Sequence, residues 1–305
     1  MTDAPDSQRS VGESVVEEPS SSRIGVLAPL PAWDVLVVRI GGAVMVIAAL
    51  MSWLESHLDA RPNVAGVGPT TAGAGLVVMV VGLLLLLGRL ERAVALGAAL
   101  GGFTAALIFI VRAETTDNVW QLSEFVDTRP FPAVAVGAWI GVVASALALC
   151  GAIWHLSKAG APFGRNLQPL PALSGAVLAV IAPFLLTWDY GFPVRKVFGR
   201  SGKLHADGLD TGIITGYPVI ILGSFALLAV LVAMSNSIRS GISKQGLAAC
   251  IQVAGVAIVL LAGMEIAARF MGGTVPVLNT VWSGPIVTLA GGVVMILSVQ
   301  PARSA

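Results

Sequence analysis

The chain has 305 residues, of which 56% are hydrophobic and only 11% charged, with a mean hydropathy of +0.86. Soluble domains carry about 25% charged residues, so a deficit this large along most of the length excludes an ordinary water-soluble globule and makes a bilayer the expected solvent. The net charge of +1 excludes the basic footprint of a nucleic-acid binder.

Residues 1–31 are rich in Ser, Glu, Asp and Pro. Such a segment buries too little apolar surface to offset its chain entropy, so a disordered tail is expected. Its acidic charges, with no apolar core directly behind them, do not fit a signal peptide. Eight apolar stretches follow, at 32–53, 71–88, 93–111, 132–154, 170–188, 212–234, 247–268 and 281–299. Each approaches the ~20 residues that cross a bilayer as a helix. Helices are required because an unpaired backbone amide in lipid costs several kcal/mol, and the alternation of a membrane barrel is missing. The expected fold class is therefore all-α: a polytopic transmembrane bundle of eight spans. Trp33, Trp53, Trp154, Trp188 and Trp282 fall at span ends, as in an interfacial aromatic belt.

The spans form two groups of four that open alike: a span ending at a Trp (Trp53, Trp188), a long polar loop, then a span with paired glycines (Gly75 and Gly82; Gly216 and Gly223). Tandem duplication accounts for this. The expected organisation is a first four-helix unit at 32–154, a cytoplasmic linker at 155–169, a second unit at 170–299 and a tail at 300–305. A unit with an even number of spans returns to its starting side, so the two units are expected to be parallel. The short connections after spans 2, 4 and 6 carry Arg89 and Arg92, Lys158 and Arg165, and Arg239 and Lys244. The rule that basic residues stay inside then puts both termini in the cytoplasm and the chain in the plasma membrane.

The residues carrying chemistry are few. Gly75, Gly82, Gly216 and Gly223 place each pair on one helix face, about two turns apart. There they let a neighbouring backbone approach, the means by which helices pack in lipid. Arg39 and Glu265 are ionisable residues inside spans, where charge is costly and by default functional. Arg39 lies close enough to its span end to snorkel, and Gln252 lies at a similar depth as a possible hydrogen-bond acceptor for it. Glu265 precedes Arg269 by four residues, the favourable order for an ion pair on one helix face. Arg39 and Glu265 belong to opposite ends of the membrane and should not pair. In the loop after span 5, Arg195, Lys196, Arg200 and Lys203 form a basic cluster that could take an anionic lipid or an envelope glycan. His205, Asp207 and Asp210 behind it make only a weak cation-site pattern; a solvated loop is the simpler reading.

The acids Glu114, Asp117, Glu124 and Asp127 likewise read as a solvated loop. Pro183 and Pro218 could kink spans 5 and 6. Cys150 and Cys250 have no zinc or redox spacing and read as small buried hydrophobes. The histidines His57, His155 and His205 sit at span edges or in loops and suit no b-type haem. No nucleotide-binding, zinc-protease or serine-hydrolase sequence is found. The expectation is a non-enzymatic protein without cofactor, whose partners are membrane lipids and possibly another membrane protein, and not nucleic acid.

The pattern of Trp53, Gly75 and Gly82, followed by Trp188, Gly216 and Gly223, resembles the small four-helix membrane proteins of actinobacteria, including those encoded near tryptophan genes. The resemblance implies a four-plus-four architecture and no established chemistry. Two functional classes follow: an envelope scaffold or accessory subunit, or a small-solute or lipid transporter built from two parallel repeats.

Overall fold

Eight α-helices account for most of the described chain in a computed structural model, which describes residues 32–55, 64–65, 67, 73–115, 133–158, 165–186, 189–190, 205–206, 215–235, 243–271 and 283–301. In chain order they are α1 (Trp33–Leu50), α2 (Ala74–Leu87), α3 (Arg92–Thr115), α4 (Val136–Ser157), α5 (Pro169–Leu185), α6 (Gly216–Met234), α7 (Lys244–Met271) and α8 (Ser283–Leu297). The tail at 1–31 lies outside the described residues.

Five of these helices are long and apolar enough to cross a membrane, with windows of mean hydropathy between 2.0 and 2.4. The other three, α2, α5 and α8, are apolar but shorter, with 14, 17 and 15 residues. At 1.5 Å per residue, α2 covers only ~21 Å of a ~30 Å hydrocarbon core. Among the described residues, five of the eight expected spans are thus helices of full membrane-crossing length, and the other three are shorter apolar helices. Composition scores apolar residues without regard to backbone geometry. Gly73 and Gly88, with φ of 74° and 63°, bracket α2 and set its two ends. α5 stops two residues after Pro183, and the chain after α8 turns extended at Val299. Pro218 lies in the first turn of α6, where an amide is not needed for the helix.

Short strands supplement the helices, so the fold is mostly rather than wholly α. β1 (Ser52–Glu55) pairs antiparallel with β2 (Val64–Ala65) and β3 (Ala133–Val134). β4 (Arg165–Leu167) pairs with β7 (Val299–Pro301), tying the connection before α5 to the segment after α8. β5 (Asp189–Tyr190) pairs with β6 (His205–Ala206) inside the loop after α5.

Helix neighbours follow a regular scheme. α1 packs on α2 and α4, and α3 packs on the same two; α5 packs on α6 and α8, and α7 packs on the same two. The two groups meet mainly along α3 and α7. Glycine sets the approach within and between them. A Cβ at Gly42 would lie 2.7 Å from the Gly82 carbonyl oxygen, and one at Gly175 would lie 2.6 Å from that of Gly291. On the central seam, Gly97 faces the Val253 carbonyl at 2.7 Å and Gly101 faces Ala257 and Leu260. Residue numbers rise together along this seam, so α3 and α7 run parallel, whereas α1–α2 and α5–α8 run antiparallel.

α3 and α7 are the most buried of the long helices. The outer helices expose large apolar side chains, among them Ile47, Leu87, Val143, Leu185, Ile221 and Leu228. Exposed apolar surface on this scale marks contact with lipid or protein rather than water.

Gly42→Leu is expected to force α1 and α2 apart and lower the thermal unfolding midpoint in detergent, at about 1–3 kcal/mol for overpacking a tight contact. Gly263 on α7 has nothing within 4 Å of a Cβ position. Gly263→Ala should leave the midpoint unchanged or raise it through helix propensity. Equal effects of the two substitutions would contradict the packing scheme.

Candidate functional site: a buried ion pair on the central seam

Three polar side chains converge where α3, α6 and α7 meet. Arg112 lies on α3 about three turns beyond Gly101, so the helix face that carries the glycine contacts also carries this cation. Thr215 immediately precedes α6 and is fully buried; Glu265 on α7 is 4% exposed. The Arg112 guanidinium donates to the Glu265 carboxylate and, at 2.9 Å, to the Thr215 hydroxyl. That hydroxyl donates in turn to Glu265. Each pair in the triangle is hydrogen-bonded, and the charges cancel. Gly73 closes the same region: with its positive φ, it places a Cβ position 2.5 Å from the Met264 carbonyl, leaving no room for a side chain.

A second cluster lies at the other end of the bundle, where α1 begins and α4 ends. Asp34, in the first turn of α1, is 3% exposed. It meets His155 Nδ1 at 2.5 Å and Lys158 Nζ at 3.4 Å. The Lys158 ammonium also sits 4.2 Å from the ring centre of Trp154. Asp34 at a helix N-terminus, opposite two donors from α4, fastens the two helices at one level.

The residues expected to matter are distributed as follows. Gly82 and Gly223 are packing glycines: the first backs onto α1 at Gly42, and the second onto Ala179 and Val180 of α5. Gly75 and Gly216 are buried at the starts of their helices. Gln252, the possible acceptor for Arg39, does not bond it. Gln252 is buried on α7 and its Oε1 has no hydrogen-bond partner; Arg39 instead lies against Gly88 at the end of α2. Equal depth along two helices does not imply adjacency. Glu265 is held by Arg112 and Thr215; the expected pairing with Arg269 falls on a side chain outside the described residues.

Trp53 also departs from expectation. It is fully buried, donates to the Ala48 carbonyl at 2.8 Å, and packs 4.9 Å from Phe109 between ring centroids. The chain turns into β1 directly after α1 and folds this ring inward, so it belongs to no interfacial belt. Cys150 is exposed rather than buried. Arg195, Lys196, Arg200, Lys203, Asp207, Asp210, Trp188 and Trp282 lie outside the described residues. Among the described residues no three His, Cys, Asp or Glu side chains gather as metal ligands.

Sequence reasoning missed Arg112 and Asp34. Arg112 stood one residue beyond the apolar run, yet α3 continues through it to Thr115. The available signal was complementary charge at matching depth: Arg112 and Glu265 each lie near the last turns of helices that run in the same direction.

Comparison with family models, curated proteins and solved structures gives no match.

Breaking a buried pair by removing one partner costs about 3–5 kcal/mol, whereas replacing both can be nearly neutral. Glu265→Gln and Arg112→Met should each lower the thermal midpoint in detergent more than the double substitution does. Strict additivity in this cycle would mean that the two side chains do not act as a pair.

Proposed function

We propose that this chain is a non-enzymatic scaffold or accessory subunit of the plasma membrane of an actinobacterium. In this reading all eight helices cross the bilayer, as two parallel four-helix units that arose by tandem duplication. The observation that carries it is the use of small residues for internal contact: Gly42 on Gly82, Gly175 on Gly291, Gly255 on Gly292 and Gly97 on Val253. Backbones this close leave no water-filled route between those helix pairs, and the buried carboxylates Asp34 and Glu265 are both paired with cations of the same bundle. The matching neighbour schemes of α1–α4 and α5–α8 support the duplication, as does the parallel course of α3 and α7. α2, α5 and α8 would cross where the bilayer thins locally or flanking residues complete the span, at a modest cost per Å. The basic residues Arg89, Arg92, Lys158 and Lys244, at the end where α1 begins and α8 finishes, support cytoplasmic termini.

A transporter of a small solute or lipid is the second reading. The observation favouring it is that Arg112, Thr215 and Glu265 meet at the junction of the two units, where transporters built from repeats place their sites.

The protein should resist alkaline carbonate extraction from membranes and require detergent; release by carbonate would remove the membrane-spanning reading. In mild detergent a tagged copy should retain a stoichiometric protein partner. A lone protein carrying bound solute would favour transport instead. In a cysteine-free background, a cysteine replacing Ser201 should react with an impermeant thiol reagent on intact cells, and one replacing Ser240 only after lysis. The reverse pattern would invert the orientation.

A further inference from the structure

Among the described residues no carboxylate pairs with Arg39, and its Nε is buried without a hydrogen-bond partner. Asp34, one turn earlier on α1, is engaged otherwise, with His155 and Lys158. A guanidinium keeps its proton under all ordinary conditions. An unpaired cation beside apolar helices therefore calls for an anion.

The setting indicates which anion. Arg39 packs on Gly88, the residue that ends α2, and a Cβ there would come within 2.6 Å of Nε and Nη2. Gly88 thus serves twice: its φ of 63° ends the helix, and its missing side chain makes room for the guanidinium. The end of α2 fixes the height of the guanidinium at the limit of the apolar surface. Ile40, next to Arg39 on α1, and Leu83, Leu84 and Leu87, in the last turns of α2, are exposed large hydrophobics. Directly after Gly88 comes exposed Arg89, with half-buried Arg92 opening α3. Two or three guanidiniums at the edge of an open Leu-rich face match a molecule with an anionic head and an apolar body.

We propose that Arg39, Gly88 and Arg89 form a site for the phosphodiester of an anionic glycerophospholipid, whose acyl chains lie along the exposed leucines of α2. Guanidinium forks suit phosphate oxygens, and the terminal nitrogens of half-buried Arg39 supply the donors, its Nε being buried against Gly88. Gly88 leaves the space that the Arg39 guanidinium occupies, and Arg89 adds the second positive charge that discriminates a net-anionic lipid from a zwitterionic one. The site lies in the leaflet on the side where α1 begins. It rests only on the helices crossing a membrane and is the same for a scaffold and for a transporter; carbonate extraction tests the crossing separately.

The test uses the full-length protein, delipidated in a neutral detergent and titrated with phosphatidylglycerol, phosphatidylcholine or inorganic phosphate while thermal unfolding is followed. Phosphatidylglycerol should raise the midpoint saturably, and neither of the others should at equal concentration. Arg39→Gln and Arg89→Gln should each weaken the apparent affinity by about fivefold, the size expected for one basic residue at a lipid surface. Stabilisation by phosphate alone would make this a site for a soluble anion and overturn the proposal. Equal stabilisation by the two lipids would overturn it as well, as would an unchanged affinity in Arg39→Gln. Should Arg39→Gln fail to fold, the exposed Arg89 decides: unchanged affinity in Arg89→Gln sinks the proposal.

Discussion

The structure depends on helices finding one another in a solvent that does not drive them together. Lipid tails are as apolar as Leu, so burying an apolar side chain between two helices gains little over leaving it in the bilayer. What remains is close contact and hydrogen bonding. The close contacts are those at Gly42–Gly82, Gly175–Gly291, Gly255–Gly292 and Gly97–Val253, where a single Cβ would collide with a backbone oxygen. The buried core between these points is dominated by Ala, as at Ala48, Ala105, Ala148, Ala176 and Ala257. Side chains of that size lose almost no rotamer freedom on packing, which suits a bundle whose cohesion comes from many small dispersion terms.

Polar groups act on this frame as fasteners at its ends. The Asp34–His155–Lys158 cluster joins the start of α1 to the end of α4, and Arg112–Thr215–Glu265 joins α3, α6 and α7 at the opposite end. Between them the seam of α3 and α7 is held by glycines. A buried pair is weak support for stability, because desolvation offsets much of the attraction. Its geometry still restricts sliding: α7 cannot shift by a turn relative to α3 without stranding Glu265 and Arg112 in an apolar surround. The glycines provide proximity, and the pair fixes the register.

Much of the fold was legible in the sequence, because hydropathy reports which segments prefer lipid. All eight helices fall inside or across the apolar stretches, and Gly82 and Gly223 were recognisable as packing positions from their spacing. Helix ends were less legible. The run containing α2 reads as uninterrupted from Thr71 to Gly88, yet backbone geometry at Gly73 starts the helix late. The site was hardly legible. Arg112 and Asp34 sit at the margins of apolar runs, where a charge looks like the first residue of a loop, and the partner of Glu265 lies more than a hundred positions away. Only the packing of α3 beside α7 brings them together. Trp53 misleads for a related reason: a Trp ending a span looks interfacial until the strand after it turns the ring inward.

The distribution of small residues also bears on where a partner can bind. Most glycines in the interior of helices face another helix of the same chain at less than ordinary van der Waals distance. The surfaces left over, on α2 and α6 especially, carry Leu83, Leu87, Ile221, Phe225 and Leu228. Bulky, smooth faces of this kind hold backbones apart, and in lipid they offer a second membrane protein no more than they offer an acyl chain. A bundle built this way uses its small-residue contacts for its own fold. Recognition of a partner protein would then fall to polar segments outside the bilayer, whereas the leucine faces are suited to lipid.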